Sequence, residues 1–197
     1  MAHSIQLAGI SGSLRKGSFN TALLHAVESL LPGNMKMNIL SIADIPLYNA
    51  DFDLPAAAER PAPVARFREG LAQVDAVLIV SPEYNYSIPG GLKNAIDWAS
   101  RGEDSPLLGK PVAVMGATQG LWGTVRMHLA FHPVFQFLNM KPLFRPEILV
   151  ARAKDKFDAE LRLTDEPTIR LIHKHLKAFN DHILHAKMQA TTPTPQA

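Results

Sequence analysis

The chain has 197 residues, 47% of them hydrophobic, enough apolar material for one α/β domain with a sizeable core. It has no cysteine, which excludes disulfides, a thiol nucleophile and a thiolate-bound metal, so redox chemistry has to come from a bound cofactor. The formal charge of +2 and the scattered basic residues argue against nucleic acid, and the lack of any apolar run near the ~20 residues of a membrane span, or of a basic-then-apolar N-terminus, predicts a cytoplasmic protein with no membrane partner.

Ile5 to Ile10 is short, apolar and punctuated by Gly9, the pattern of a strand buried on both faces. In the run "GISGSLRKGSFNTALLHAV", residues 9–27, small residues then give way to a helical stripe. Phe19, Leu23, Leu24, Val27, Leu30 and Leu31 recur at helical spacing, with a stop near Pro32-Gly33. The polar residues between strand and stripe therefore sit at a helix N-terminus, where free N–H groups and the helix dipole favour an anion. Ser11, Ser13, Ser18 and Asn20 offer hydroxyls and an amide there, and Arg15 adds charge. A triphosphatase loop would place its lysine after the second glycine, but Lys16 precedes Gly17. The glycines at 9, 12 and 17 do not match a dinucleotide fingerprint either. A single phosphate is the ligand that remains.

Further along, 36–42 reads as a second strand, 43–63 as a long proline-rich loop, 65–73 as a short helix and 75–81 as a third, doubly buried strand. A helix follows at 91–101 with Leu92, Ala95, Ile96 and Ala99 inward, then a strand at 111–116 and a helix at 121–139 that Pro133 should kink. "EILVAR", 147–152, is the fifth strand, and Ile169, Ile172, Leu176, Phe179 and Ile183 mark a last helix over 166–187. Residues 1–187 are thus expected to form one domain, with 188–197 a disordered tail. Five alternations of strand and helix predict a doubly wound, five-stranded parallel sheet of order 2-1-3-4-5 with helices on both faces. Ligands of such sheets bind beyond the carboxyl ends of the strands, between the first and third.

The loop after the third strand, "SPEYNYSIPGGLKNAIDW", is stiffened by Pro82 and Pro89, carries two tyrosines, and permits close approach at Gly90-Gly91. Beside a phosphate pocket, such a wall suits a flat ring whose edge is read by main-chain groups. A planar phosphorylated cofactor such as FMN meets both requirements.

With "GSLRKGSFN" and "PEYNYSIPGGLKNAIDW", and "SIADIPLYNAD" between them, the chain resembles the NADPH-dependent FMN reductase family of flavodoxin-like proteins, in particular its chromate and quinone reductase members, from the first strand to about Glu147. The resemblance implies a phosphate site on Ser13, Arg15, Ser18, Phe19 and Asn20, and an isoalloxazine site on Pro82, Glu83, Tyr84 and Asn85. It implies a third contact in "GATQG" at Ala117 or Thr118, where relatives often carry serine at the position of Ala117. It also implies a homodimer or homotetramer, in keeping with Trp122, Met127, Phe131, Phe135 and Phe137, more bulky apolar surface than one buried stripe uses.

Other candidates fall away. His128 and His132 have zinc-ligand spacing, but residue 129 is Leu and no third ligand is evident, so they read as core or interface histidines with no metal. His173, His175, His182 and His185 read as a solvated face, and Lys93, Asn94 and Asp97 as residues that orient their own helix. No acid–base pair stands out, so no catalytic side chain is assigned: a hydride passes from NADPH or NADH to the flavin and on to a small-molecule acceptor such as a quinone, an azo compound or chromate. The alternative is an FMN-binding electron carrier, which would be strongly acidic, whereas the sequence pI is near 8.9. Asn85→Pro is expected to delete one N–H at the ring edge.

Overall fold

The computed structural model describes residues 4–191. Strand β1 (Ile5–Ser11) pairs in parallel with β2 (Met35–Ile39) on one side and β3 (Ala76–Val80) on the other, and β3 pairs in parallel with β4 (Pro111–Ala117). All of β3 and β4 is buried, which explains their lack of polar alternation. The sheet order is 2-1-3-4-5, as the alternation of elements predicts.

The fifth strand differs from expectation. Two short segments, β5 (Lys141–Pro142) and β6 (Ile148–Val150), both pair with β4, the first at Pro111 and Val112 and the second at Met115 to Ala117. Lys141 N and Leu143 N donate to Lys110 O at 3.1 Å and Val112 O at 2.8 Å, so the N–H that Pro142 lacks would face away from β4. The ladder breaks beyond Leu143 because extra residues loop out before Ile148 pairs with Met115.

Helices α1 (Phe19–Ser29) and α5 (Glu166–Thr191) cover one face of the sheet. There Leu23, Leu24 and Val27 meet Ile172, Leu176, Phe179 and Ile183. Helices α2 (Ala62–Ala72), α3 (Gly90–Ala99) and α4 (Val125–Phe137) cover the other face through Leu71, Leu92, Ile96, Phe131 and Phe135. Each such side chain removed from water contributes about 1.5–3 kcal/mol. Helix α2 starts earlier than the apolar pattern predicts because Pro63 is accommodated in its first turn, where a missing N–H costs nothing. Helix α4 is shorter than expected, since Gly123 at φ 63° ends the preceding turn, and it continues through Pro133. Helix α5 runs on to Thr191, into the stretch expected as a tail; residues 192–197 of that expectation lie outside the described residues.

His175 is a correction to the reading of a solvated face. It is 1% exposed, because its place three residues after Ile172 and four before Phe179 sets it on the apolar stripe. No described helix is long and apolar enough to cross a membrane.

The long connection between β2 and α2 is strapped to α3. Asn94 accepts from Tyr48 N at 2.8 Å and donates to Pro46 O at 2.9 Å, and Trp98 Nε1 donates to the same oxygen at 2.8 Å. Arg60 pairs with the buried Asp53 at 2.5 Å, while Arg68 donates to the carbonyls of Trp98, Ala99 and Arg101. Lys93 and Asp97 pair along α3 at 2.6 Å, orienting their own helix.

Candidate functional site

The carboxyl ends of β1, β3 and β4 bring three loops together. Gly12 N donates to Val80 O at 2.9 Å, and Ser81 N to Met115 O at 2.9 Å, so the strands stay paired as the loops leave them. A Cβ on Gly12 would lie 2.8 Å from the Ser81 Cβ, and one on Gly116 would lie 2.5 Å from the Ser81 carbonyl. Glycine at both positions lets the loops touch.

The first loop, residues 12–18, is held from below by Ser11, whose hydroxyl meets Thr21 Oγ1 at 2.8 Å and Ser13 O at 3.3 Å. Ser18 is the N-cap of α1: its Oγ accepts from Asn20 N at 3.2 Å and Thr21 N at 3.4 Å. Ser13 is buried and accepts from Arg15 N at 3.4 Å. Phe19 turns inward onto the Phe157 ring, centroids 5.3 Å apart. Asn20 spans to β4, its Oδ1 accepting from Ala117 N at 2.8 Å and its Nδ2 donating to Ala117 O at 2.9 Å.

What this leaves open has the chemistry of an anion cradle. Among the described residues, the N–H groups of Lys16, Gly17, Ser18 and Phe19 have no protein acceptor. The exposed Arg15 guanidinium enters none of their ion pairs and leans over Gly17, where a Cβ would lie 3.4 Å from its Nη1. Unused N–H donors at a helix N-terminus beside a free guanidinium fit the monophosphate of FMN.

The second loop, residues 81–89, is a rigid turn. Pro82 is buried. Tyr84 N donates to Ser87 O at 3.1 Å and Ser87 N to Tyr84 O at 2.9 Å, while Asn85 and Tyr86 both have positive φ, 49° and 62°. That pattern belongs to a two-residue hairpin turn of type I′. Among the described residues the Asn85 N–H has no acceptor, leaving a main-chain donor available at the tip. Glu83 points away from this tip to α4, where its Oε2 accepts from Arg126 N at 2.9 Å and Met127 N at 3.1 Å. It takes the capping place that Thr124 leaves empty. Arg126 in turn lies over the Tyr86 ring, 4.1 Å from its centroid, closing a link from the loop to the helix and back.

In the third loop, Thr118 N donates to Val150 O at 2.9 Å and Thr118 Oγ1 accepts from Gly120 N at 3.3 Å. Every predicted site residue therefore lies on one of three adjoining loops, on the first turn of α1 or, for Ala117, at the last position of β4. The side chains of Asn20, Ser18, Phe19 and Glu83 are engaged with the protein itself, so what these residues turn toward the strand ends is main chain. Ser11, Thr21, Ser81 and Arg126 shape the loops too, and sequence reasoning gave Arg126 no part because nothing in linear spacing joins it to Glu83, 43 positions away.

Away from the strand ends, a small hollow of about 170 Å³ between α4 and residues 142–147 is lined by His128, His132, Phe144, Arg145 and Glu147. Burial, with His175 and His132 nearby, pushes the His128 pKa down to about 4. His175 donates from Nδ1 to Pro146 O at 2.6 Å, and burial lowers its pKa too. The Nε2 atoms of both rings are buried without a partner among the described residues.

A 2-1-3-4-5 parallel sheet, with an anion cradle after its first strand and a rigid amide-bearing turn after its third, defines a flavodoxin-like FMN-binding oxidoreductase. The chain belongs to the NADPH-dependent FMN reductase family, whose match spans residues 5–155. It is an enzyme with FMN as cofactor and NAD(P)H as reductant. It is 44% identical over 179 residues to an NAD(P)H-dependent FMN reductase of Pseudomonas aeruginosa, covering 91% of this chain and 95% of that one. It is 40% identical over 190 residues to a quinone reductase of Escherichia coli, covering 95% and 100%. Among solved structures it resembles a flavoenzyme NAD(P)H:(acceptor) oxidoreductase of Paracoccus denitrificans, with a TM-score of 0.83 and 34% identity, covering 92% of this chain and 98% of that one.

Proposed function

We propose that this protein takes a hydride from NADPH or NADH and passes reducing equivalents to quinones, and also to azo compounds and oxidised metals such as chromate. The observation that carries the reading is the pairing of two sets of unused donors at the strand ends: the Lys16 to Phe19 amides with Arg15, and the Asn85 amide on its rigid turn. Arg15, Ser13, Ser18 and Phe19 hold the FMN phosphate, mostly through main chain, with Asn20 fixing the cradle against β4; Pro82, Tyr84 and Asn85 face the ring, Glu83 holding their loop to α4, and Ala117 and Thr118 close the third side. When bound, FMN supplies the hydride acceptor and donor chemistry, and no side-chain acid or base is required. The chain fixes the ring edge against donors that need no reorganisation as negative charge grows there.

The enzyme works in the cytoplasm as a homodimer or homotetramer. Trp122 and Phe137, 72% and 73% exposed, together with Leu121 and Leu129, form the apolar surface that a second copy covers. The test is anaerobic addition of NADPH to the purified yellow protein, followed by a panel of quinones, an azo dye and chromate. Bleaching and quinone-dependent NADPH oxidation are expected, and heat should release FMN rather than FAD. A flavin that stays oxidised under NADPH would mean an electron carrier instead, and light scattering that gives a monomeric mass would remove the oligomer.

A further inference from the structure

A groove of about 600 Å³ runs along α1 between that helix and residues 160–163, and it begins at the anion cradle itself, since Lys16 and Ser18 line both. From Ser18 to Leu30 the helix supplies about 18 Å of wall. The groove has two kinds of lining. Its middle is apolar, with Ala22, Ala26, Leu30, Leu161, Leu163 and Ile169. Its rim is polar, with Lys16, Thr21 and His25 on one side and Glu160 and Arg162 on the other.

The far rim is rigidly built. Asp158 Oδ1 accepts from Glu160 N at 3.1 Å and Arg162 N at 2.8 Å, and Phe157 bridges to Leu163. Leu161 is held at φ 62°, a left-handed conformation that costs a leucine about 1–2 kcal/mol. Its side chain lines the groove. Backbone strain of this kind persists where surroundings over-determine it, and it clusters at ligand clamps. Arg162 Nε is anchored on Asp158 Oδ2 at 2.7 Å, and its Nη2 meets Glu160 Oε2 at 3.1 Å, so an anchored cation and a carboxylate stand paired on the lip, both largely exposed.

We infer that this groove receives the adenosine half of the reducing nucleotide, and that the Glu160–Arg162 pair is what lets one site accept both NADPH and NADH. The inference rests on the hydride-transfer reading above: a nucleotide whose nicotinamide reaches the strand ends lays its other end past Lys16 and along α1. A purine is a flat apolar face with a polar edge, which matches an aliphatic floor with a polar rim. The pair on the lip offers either partner an adenosine ribose needs. A carboxylate accepts from a free 2′-hydroxyl, and a guanidinium binds a 2′-phosphate. The 2′-phosphate carries a charge near −2 at neutral pH, enough to draw the Nη end of Arg162 from Glu160 while Asp158 keeps its Nε, and Lys16 has no anionic partner among the described residues.

The pair therefore predicts opposite effects from its two halves. The readout is the quotient of kcat/KM for NADPH over kcat/KM for NADH. Arg162→Gln should lower it about tenfold and Glu160→Gln should raise it about threefold to tenfold, the range of one charge-assisted hydrogen bond on an exposed lip. Lys177→Gln, on the outer face of α5, is the control and should leave it unchanged. Binding is read separately by titrating the FMN-loaded enzyme with 2′,5′-ADP and with 5′-ADP: the wild type should bind both competitively with NADPH, and Arg162→Gln should weaken only the first. Quotients that stay put in both variants, or shift in the same direction, would overturn the inference, as would adenosine phosphates that fail to compete. An enzyme that oxidises neither nucleotide would sink the hydride-transfer reading, and the direct titration of the adenosine phosphates would still decide the groove.

Discussion

The side chain of Asn20 holds both main-chain groups of Ala117, accepting its N–H at 2.8 Å and donating to its carbonyl at 2.9 Å, and so ties the start of α1 to the end of β4. Both partners are buried. Asn20→Ala leaves two buried main-chain groups without partners, each costing about 1–3 kcal/mol. The flavin-free variant should lose roughly 2–4 kcal/mol in a urea titration at unchanged m-value. Asn20→Asp keeps one bond and sets a carboxylate against the Ala117 carbonyl, so it should be no better than alanine. A wild-type midpoint in both variants would show that water replaces the clasp.

The Arg15 guanidinium enters no ion pair of the described residues, so its loss should cost the ligand and spare the fold. Arg15→Ala should bind FMN about ten- to a hundredfold more weakly, the value of a charge-assisted contact of about 1.5–3 kcal/mol. Its thermal unfolding without flavin should match the wild type. Fluorescence titration with FMN reads the first and calorimetry the second, and an unchanged titration would take Arg15 out of the phosphate site.

The stripes of α1, α3 and α5, the buried β3 and β4, and the two loops flanking the switch point were all legible in the sequence, because each is a local pattern of spacing, burial or turn chemistry. What was not legible is tertiary. Asn20 reads as a phosphate ligand in a polar loop, and only the pairing of strands shows that Ala117 lies beneath it. Glu83 reads as a ring contact, and only the packing of α4 shows that its carboxylate is occupied by Arg126 and Met127. His175 looks polar in a row of polar residues, yet its phase on the helix places it inward. The fifth strand at 147–152 is legible and pairs with β4 over Ile148–Val150, whereas the second short segment, Lys141–Pro142, is too brief to leave a pattern and shows only in its pairing with Pro111 and Val112.

Burial holds the rings of His128 and His175 neutral, and this gives stability a pH dependence with a fixed sign. The His128 pKa is depressed from 6.5 to about 4 in the folded protein. Above about 6.5 neither state is protonated and the ring contributes no slope. Below it the unfolded chain takes up a proton that the folded one refuses, so stability falls as pH drops from about 6.5 to 4 and the contribution levels off beneath that. At 1.36 kcal/mol per unit the loss is about 3 kcal/mol at most. His175, lowered in the same direction, adds to it. His128→Phe should flatten part of the decline between pH 6.5 and 4.5 in urea titrations, and a variant with the wild-type pH curve would show that the ring protonates in place.

The turn at Asn85 and Tyr86 separates the loop's shape from its charge. At φ 49°, Asn85 occupies a conformation closed to proline, whose ring locks φ near −65°. Asn85→Pro, which the sequence recommends as the deletion of one N–H, therefore breaks the whole turn. Two other substitutions keep it. Glycine takes positive φ freely, and aspartate tolerates it nearly as well as asparagine. Asn85→Gly preserves the free N–H and should reduce quinone at a rate within about threefold of the wild type. Asn85→Asp preserves the backbone but would set a negative charge beside the proposed ring site, opposing the negative charge that a reduced flavin would carry there. Two like charges in neighbouring positions of a partly exposed site repel by about 1–3 kcal/mol, which corresponds to a loss of about tenfold or more in the rate of hydride transfer. Because the proposed phosphate site is in the other loop, the protein should still purify yellow, with FMN affinity within a few-fold of the wild type. Single-turnover oxidation of NADPH under anaerobic conditions makes the comparison. Equal rates for Asn85→Asp and Asn85→Gly would place the ring edge away from residue 85, and a colourless Asn85→Asp would make this loop an anchor for the cofactor rather than a device that shapes its reactivity.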